Sequence, residues 1–298
     1  MARMGEISEM SYGPEVLLTI GGSDSGGGAG IQADIKTFSV LGWHGTCAIT
    51  AVTAQNTLGV QRIFGLEPEA VEAQLESITN DFRVAHAKTG MLYSAEIAVV
   101  AAEHLKRKGI PFVLDPVIEA EAGGRLLRPD AVKVLKDYLI PLARVVTPNI
   151  FEARALTGVS VSDAASAELA ARRILDLGAG AVVVKGGHLD CTDVLVDESG
   201  SCCLAADRVK GGNHGVGCTY SASLTSFLGE GLSLRDSASK AKAFASAAIL
   251  HSLPLGHGAG PVNQAALLRD EALRFRDLCA AEKNGGESTT ENLLPGAR

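Results

Sequence analysis

No two of the six cysteines (Cys47, Cys191, Cys202, Cys203, Cys218 and Cys279) form a C-x-x-C pair. The chain therefore offers neither a zinc clip nor a disulfide framework, and a reducing compartment suits it. Positive charge is also short. Against 34 Asp and Glu stand 27 Lys and Arg, for a net charge of −7, which argues against the basic face that a nucleic acid or an anionic membrane would need. No apolar run is long enough to cross a bilayer, and the opening MARMGEISEMSYGP lacks the apolar core of a signal peptide; a cytoplasmic protein is expected. Internal repeats and linker-like stretches are missing too. One domain is predicted over 16–281, after an N-terminal extension (1–15) and before a polar, aperiodic tail (282–298) that reads as disordered.

What the 298 residues do contain is 46% hydrophobic and 20% charged side chains, enough for a sizeable core. VLLTIG (16–21) is a short apolar run ended by Gly-Gly, a buried strand. Ile31, Ile35, Phe38 and Leu41 then recur at helical spacing, with Gly42 as the stop. GTCAITAVTAQN is β-branched and extended; EPEAVEAQLESIT follows with Pro68 in its first turn and Val71, Leu75 and Ile78 on one face. The pattern repeats. AHAKTGM leads to the helix SAEIAVVAAEHLKRKG, FVLDPV to RPDAVKVLKDYLI, and ARVVTPN to IFEARALTG. Asp163 is suited to cap AASAELAARRILDLG, which runs into the strand AVVVKGG. TDVLVD and CCLAADRV make a hairpin around Glu198-Ser199-Gly200. Two Ala- and Ser-rich helices and a last one from about Val262 complete the chain. Strands alternating with helices predict an α/β fold, a mostly parallel sheet covered on both faces.

In such sheets ligands bind beyond the carboxyl ends of the strands. Those ends carry GGSDSGGGAG, AQNT, KTGM, DPV, TPNIFE, KGGH and HGVGC, where glycines and polar groups converge. GGSDSGGGAG (21–30) suits a tight turn or close ligand approach. No Gly-Lys-Ser/Thr closes it as a P-loop, and it does not fit the dinucleotide fingerprint cleanly. Asp34 on the next helix reads either as a ligand group or as a solvated or capping acid. Asn149 and Glu152, three residues apart at a helix start, can hold the water shell of Mg2+ or form a helix cap. Lys185, ending an apolar strand, is a point charge for phosphate or a lysine reaching for solvent. HGVGCTYSASL (214–224) is the most informative segment. Gly215 and Gly217 let the backbone curl, and the free N–H groups of the following helix form an anion hole. Cys218 there either gains thiolate character from the helix N-terminus or is a small buried hydrophobe. The residues alone point to a phosphate-handling α/β protein.

Taken in order, TIGGSDSGGGAGIQADIKTF, AITAVTAQNTLGV, KTGM, DPV, TPNIFEA, VVVKGGH and HGVGCTYSASL, with the closing GHGAGPV, resemble the hydroxymethylpyrimidine/phosphomethylpyrimidine kinases of thiamine biosynthesis. The resemblance runs from about Val16 to Val262. It implies a ribokinase-like three-layer sandwich, ATP and Mg2+ as cofactors, a homodimer, and two successive phosphorylations of 4-amino-5-hydroxymethyl-2-methylpyrimidine. It further implies that Gly22, Asp34, Gln55, Met91 and Val117 line the pyrimidine pocket. Asn149 and Glu152 support Mg2+ and the nucleotide, Glu152 reaching the metal through water, with Val216 also on the nucleotide side. Lys185 offsets phosphate charge, and the turn Gly215–Cys218 (Gly215, Gly217, Cys218) stabilises the transferring group. This sequence departs from the family pattern in having Val216 where Thr is usual, and Glu121 and Gly124 where a Lys and an Asp are common, with Arg125 a candidate replacement cation. A pyridoxal-type kinase and a pyrimidine-binding sensor without turnover are the competing readings.

Overall fold

The computed structural model describes residues 15–119, 124–187 and 189–268. The expected tail lies outside them. In chain order the elements are β1 (Val16–Asp24), α1 (Gly30–Val40), β2 (Gly45–Asn56), β3 (Gly59–Gly65), α2 (Pro68–Thr79), β4 (Val84–Thr89), α3 (Ala95–Lys108), β5 (Phe112–Leu114) and α4 (Ala131–Val134). There follow β6 (Val145–Val146), α5 (Ile150–Thr157), α6 (Ala164–Leu175), β7 (Ala181–Val184), β8 (Thr192–Asp197), β9 (Gly200–Ala205), α7 (Val216–Gly229) and α8 (Leu234–Leu250). Past α4 the helical path tightens through a π turn (Leu135–Leu139) and a 3-10 turn (Ile140–Leu142).

Local chemistry accounts for many of these boundaries. Ser94 accepts the Ile97 N–H and Gly109, at φ 65°, ends α3; Asp163 caps α6 as expected, accepting the Ser166 N–H. Two elements differ from the sequence reading. β1 runs on past Gly21 to Asp24, because a register irregularity between Gly21 and Ser23 lets it stay paired with β2. β3 was not expected at all. It pairs antiparallel with β2 at the sheet edge, and its exposed Gln61 and Arg62 hide the alternation by which a half-buried strand is found.

All nine strands form one sheet, in the order β3-β2-β1-β4-β5-β6-β7-β8-β9, with β3, β8 and β9 antiparallel to their neighbours. Alternate side chains feed two cores. Leu18, Ile20, Phe112, Leu114, Val182 and Val184 meet α2, α3, α5 and α6; Val113, Val145, Val183 and Leu195 meet α7 and α8, while Leu17 meets α1 and α7. Each such large side chain stabilises the fold by about 1.5–3 kcal/mol. The chain winds outward from β1 to β3 and then returns to β4 on the other side of β1. That reversal opens a crevice at the carboxyl ends of β1 and β4, the place where open α/β sheets take ligands.

Candidate active site

Lys185 follows β7 directly, and its Nζ donates to Asp115 Oδ1, just past β5, at 2.7 Å. The Asp115 carboxylate, 1% exposed, also accepts from Ser221 Oγ of α7 at 3.0 Å. Burial works against charge on Lys185, but Asp115 and Glu152 outweigh it and raise its pKa above the ordinary lysine value. A Cβ on Gly217 would stand 3.5 Å from Lys185 Nζ, so the ammonium lies at the N-terminus of α7. The Gly217 and Cys218 N–H groups there have no acceptor among the described residues. Lysine and amides together make a positive concavity suited to an anion.

Beside Lys185 lies Asn149. The two pair across the ends of β6 and β7, with the Lys185 N–H donating to Pro148 O at 2.8 Å. Asn149 Oδ1 accepts the Phe151 and Glu152 N–H groups, and Glu152 Oε2 accepts the Asn149 N–H at 2.7 Å. Of the two readings of this motif, the capping box is therefore realised. Glu152 is 5% exposed, and burial pushes its carboxyl up against the opposing pull of Lys185. The Glu152 donors suit Mg2+ only through water, which the ion keeps readily, and no cluster of three metal-ligating side chains occurs among the described residues.

A second ion pair sits beneath the crevice. Asp34 is fully buried, with Lys88 Nζ at 2.9 and 3.0 Å from its two oxygens and Thr19 Oγ1 donating at 2.6 Å. Burial pushes the Asp34 carboxyl up, whereas its attraction outweighs burial at Lys88 and keeps that ammonium charged. With both oxygens satisfied, the ionised pair is the state this geometry supports. Asp34 thus has no surface left to line a pocket, and its expected direct contact with a ligand is corrected to a supporting one. For Cys218 the structure favours one of the two readings. Burial pushes its thiol up to about 11, more than Lys88 can offset, so it is a neutral thiol at physiological pH despite the helix N-terminus.

The remaining pocket candidates separate into small contacts. Gly22 lies against Met91 Sδ. Gln55 Nε2 is 3.5 Å from His214 Nε2, and half-buried Val117 follows Asp115 by two residues. Val216 opens α7 and packs on the apolar cluster of α7 and α8. Gly124 is exposed, and Arg125 turns its Nε to Leu127 O at 3.0 Å; Glu121 lies outside the described residues. Sequence reasoning missed Asp24, Lys88, Asp115 and His214 as site residues. Each stands inside a strand-end motif already in view, so a charged group at such an end was the usable signal.

A profile of the phosphomethylpyrimidine kinase family matches residues 24–263. This chain belongs to that family. Phosphotransferase chemistry and the ribokinase-like α/β fold follow from membership. The hydroxymethylpyrimidine/phosphomethylpyrimidine kinase of Haemophilus influenzae is 48% identical over 264 residues, 85% of this chain and 97% of that protein. The thiamine biosynthesis bifunctional protein ThiED of Geobacter sulfurreducens is 46% identical over 87% of this chain, which spans 54% of its length. Among solved structures, the ADP complex of Bacillus subtilis pyridoxal kinase matches with a TM-score of 0.78 and 37% identity, over 85% of this chain and 98% of that one.

Proposed function

We propose that this family member transfers a phosphoryl group from ATP to the hydroxymethyl group of 4-amino-5-hydroxymethyl-2-methylpyrimidine, and a second to the resulting monophosphate. The observation that carries this reading is the convergence of Lys185 with the free N–H groups of Gly217 and Cys218. Lys185 and Asn149 take the nucleotide phosphates, and the α7 amides receive the transferring group. Phosphoryl transfer asks mainly for such positioning and charge stabilisation. Gly22, Met91, Gln55 and Val117 surround the pyrimidine, where the Gln55 amide can both donate and accept; Asp34 contributes through Lys88. Mg2+ bound with the nucleotide supplies further neutralisation of phosphate charge, and Glu152 and Asp115 are the carboxylates that hold it through water. The kinase acts over residues 16–281 as one domain in the cytoplasm, which its free cysteines suit. Light scattering in solution tests the homodimer.

Following the pyrimidine with Mg-ATP by phosphorus NMR is the direct test. Monophosphate and then diphosphate support the two-step reading; no product, with the pyrimidine still bound, favours the sensor. The match to a pyridoxal kinase motivates a second assay, and a much larger kcat/KM with pyridoxal would reverse the assignment.

Two further outcomes are expected. Val216→Thr restores the hydroxyl usual in the family at the first turn of α7, and one new hydrogen bond of about 1 kcal/mol lowers KM for ATP roughly 5-fold. An unchanged KM would mean that position 216 does not face the nucleotide. Alkylation of Cys218, followed by peptide mass spectrometry, runs about 10²-fold slower at pH 8 than that of an ordinary thiol. Its rate climbs toward a midpoint near the pKa of about 11, since only thiolate reacts. A midpoint near 8 would favour the activated-thiolate alternative for Cys218 instead.

A further inference from the structure

Two glycine-rich segments far apart in sequence meet at one pair of side chains. Asp24 ends β1. Its Oδ1 accepts the Gly26 N–H at 2.8 Å, and its Oδ2 accepts those of Gly28 at 3.0 Å and Ala29 at 2.8 Å. The same Oδ2 lies 2.8 Å from His214 Nε2. These amides are turned inward onto the loop's own carboxylate, so within GGSDSGGGAG they are not presented to an external anion. His214 stands immediately before Gly215, the N-cap of α7. Its backbone is tied as well, with its N–H on Gly260 O at 3.3 Å and its carbonyl accepting the Val262 N–H at 3.1 Å.

The two loops touch backbone to backbone. A Cβ at Gly28 would stand 2.2 Å from His214 Cδ2, and one at Gly215, where φ is 85°, would stand 1.8 Å from Gly28 O. Both partners are buried, Asp24 at 3% and His214 at 8%. Burying a polar pair costs desolvation that an apolar pair would avoid. What the pair provides instead is a fixed distance and direction between two flexible glycine segments. With its Nε2 hydrogen given to Asp24, His214 has no lone pair there for Gln55 Nε2 at 3.5 Å, so the Gln55 amide hydrogens stay available to a ligand.

We infer that Asp24 and His214 are positioning residues of the phosphoryl transfer: their hydrogen bond sets the substrate-side loop 24–30 against the N-terminus of α7. It thereby sets the separation between the acceptor and the phosphoryl group. The inference rests on the kinase reading above. Neither residue touches the reacting atoms. Misplacing bound partners by about 1 Å lowers the rate as much as 10²-fold, and that is the scale to look for.

The test is steady-state kinetics of the full chain with hydroxymethylpyrimidine and Mg-ATP, for wild type, Asp24→Asn, His214→Leu and His214→Gln. His214→Leu is expected to lower kcat about 100-fold and leave KM for ATP within about two-fold, because Asn149 and Lys185 are untouched. His214→Gln, which keeps a donor, recovers kcat to within about 10-fold of wild type. In proton NMR the hydrogen-bonded imidazole N–H resonance of His214 is lost in His214→Leu and moves upfield in Asp24→Asn. A folded His214→Leu enzyme with wild-type kcat overturns the inference. So does loss of kcat and nucleotide binding in parallel with a falling Tm, the mark of a purely structural pair. Where His214→Leu does not fold, Asp24→Asn decides by the same kcat-against-KM split. A wild-type enzyme that transfers nothing to the pyrimidine removes the kinase reading itself, and this inference with it.

Discussion

Lys185→Met is expected to lower kcat/KM for phosphoryl transfer by about 10²–10³-fold, the usual loss when one preorganised group facing developing charge is removed. The ammonium lies at the N-terminus of α7 beside amides that have no acceptor among the described residues, and methionine keeps most of its length without its charge. The same change leaves Asp115, 1% exposed, without its cation. Breaking such a buried pair costs on the order of 3–5 kcal/mol, so Tm falls as well. The two effects come apart in the double variant Asp115→Asn/Lys185→Met. Thr147 and Ser221 still face position 115 there, that position carries no unpaired charge, and most of the lost Tm returns. Activity does not. If the double variant regained kcat, Lys185 would serve the folded state alone and the proposed phosphate role would fall.

Cys218→Asp is expected to split the two half-reactions. Transfer to the hydroxymethyl group has a neutral acceptor, and a carboxylate at the turn can serve it as a base. Transfer to the monophosphate has an acceptor whose second pKa is about 6, already ionised at neutral pH. A carboxylate about 4 Å from that phosphate costs roughly 4 kcal/mol for each unit of its charge at an effective dielectric constant near 20, at least about 10³-fold in rate. The wild-type thiol avoids this cost because burial keeps it neutral, with a pKa of about 11. Asp34 and Asp115 both press against negative charge at position 218, so a third carboxylate there also weakens the fold. Rates of both steps, measured separately from purified hydroxymethylpyrimidine and its monophosphate, give the answer. Equal losses in the two steps would show that the thiol's neutrality has no bearing on the second acceptor.

The expectation for Lys185 could not have been framed from the motifs alone. TPNIFEA and VVVKGGH marked Asn149, Glu152 and Lys185, but the partner of Lys185 is Asp115, 70 residues away. Glu152 read equally as a group on the Mg2+ water shell or as a helix cap, and the structure shows the cap formed. Cys218 was open between a thiolate at the helix N-terminus and a buried thiol, and burial beside Asp34 and Asp115 favours the thiol.

By itself, the sequence determined the alternation of strands and helices, the cap at Asp163, and the gathering of glycines and polar groups at strand ends. These depend on periodicity and turn chemistry within a few residues, and such signals survive in one dimension. Edge strand β3 escaped because one shallow pairing leaves little pattern behind. Only the tertiary structure decided which charges meet: Lys88 with Asp34 across 54 residues, Asp115 with Lys185 across 70, and Asp24 with His214 across 190. Sheet order sets those partners, and burial at the meeting points sets their protonation. Neither quantity exists until the strands have been arranged side by side.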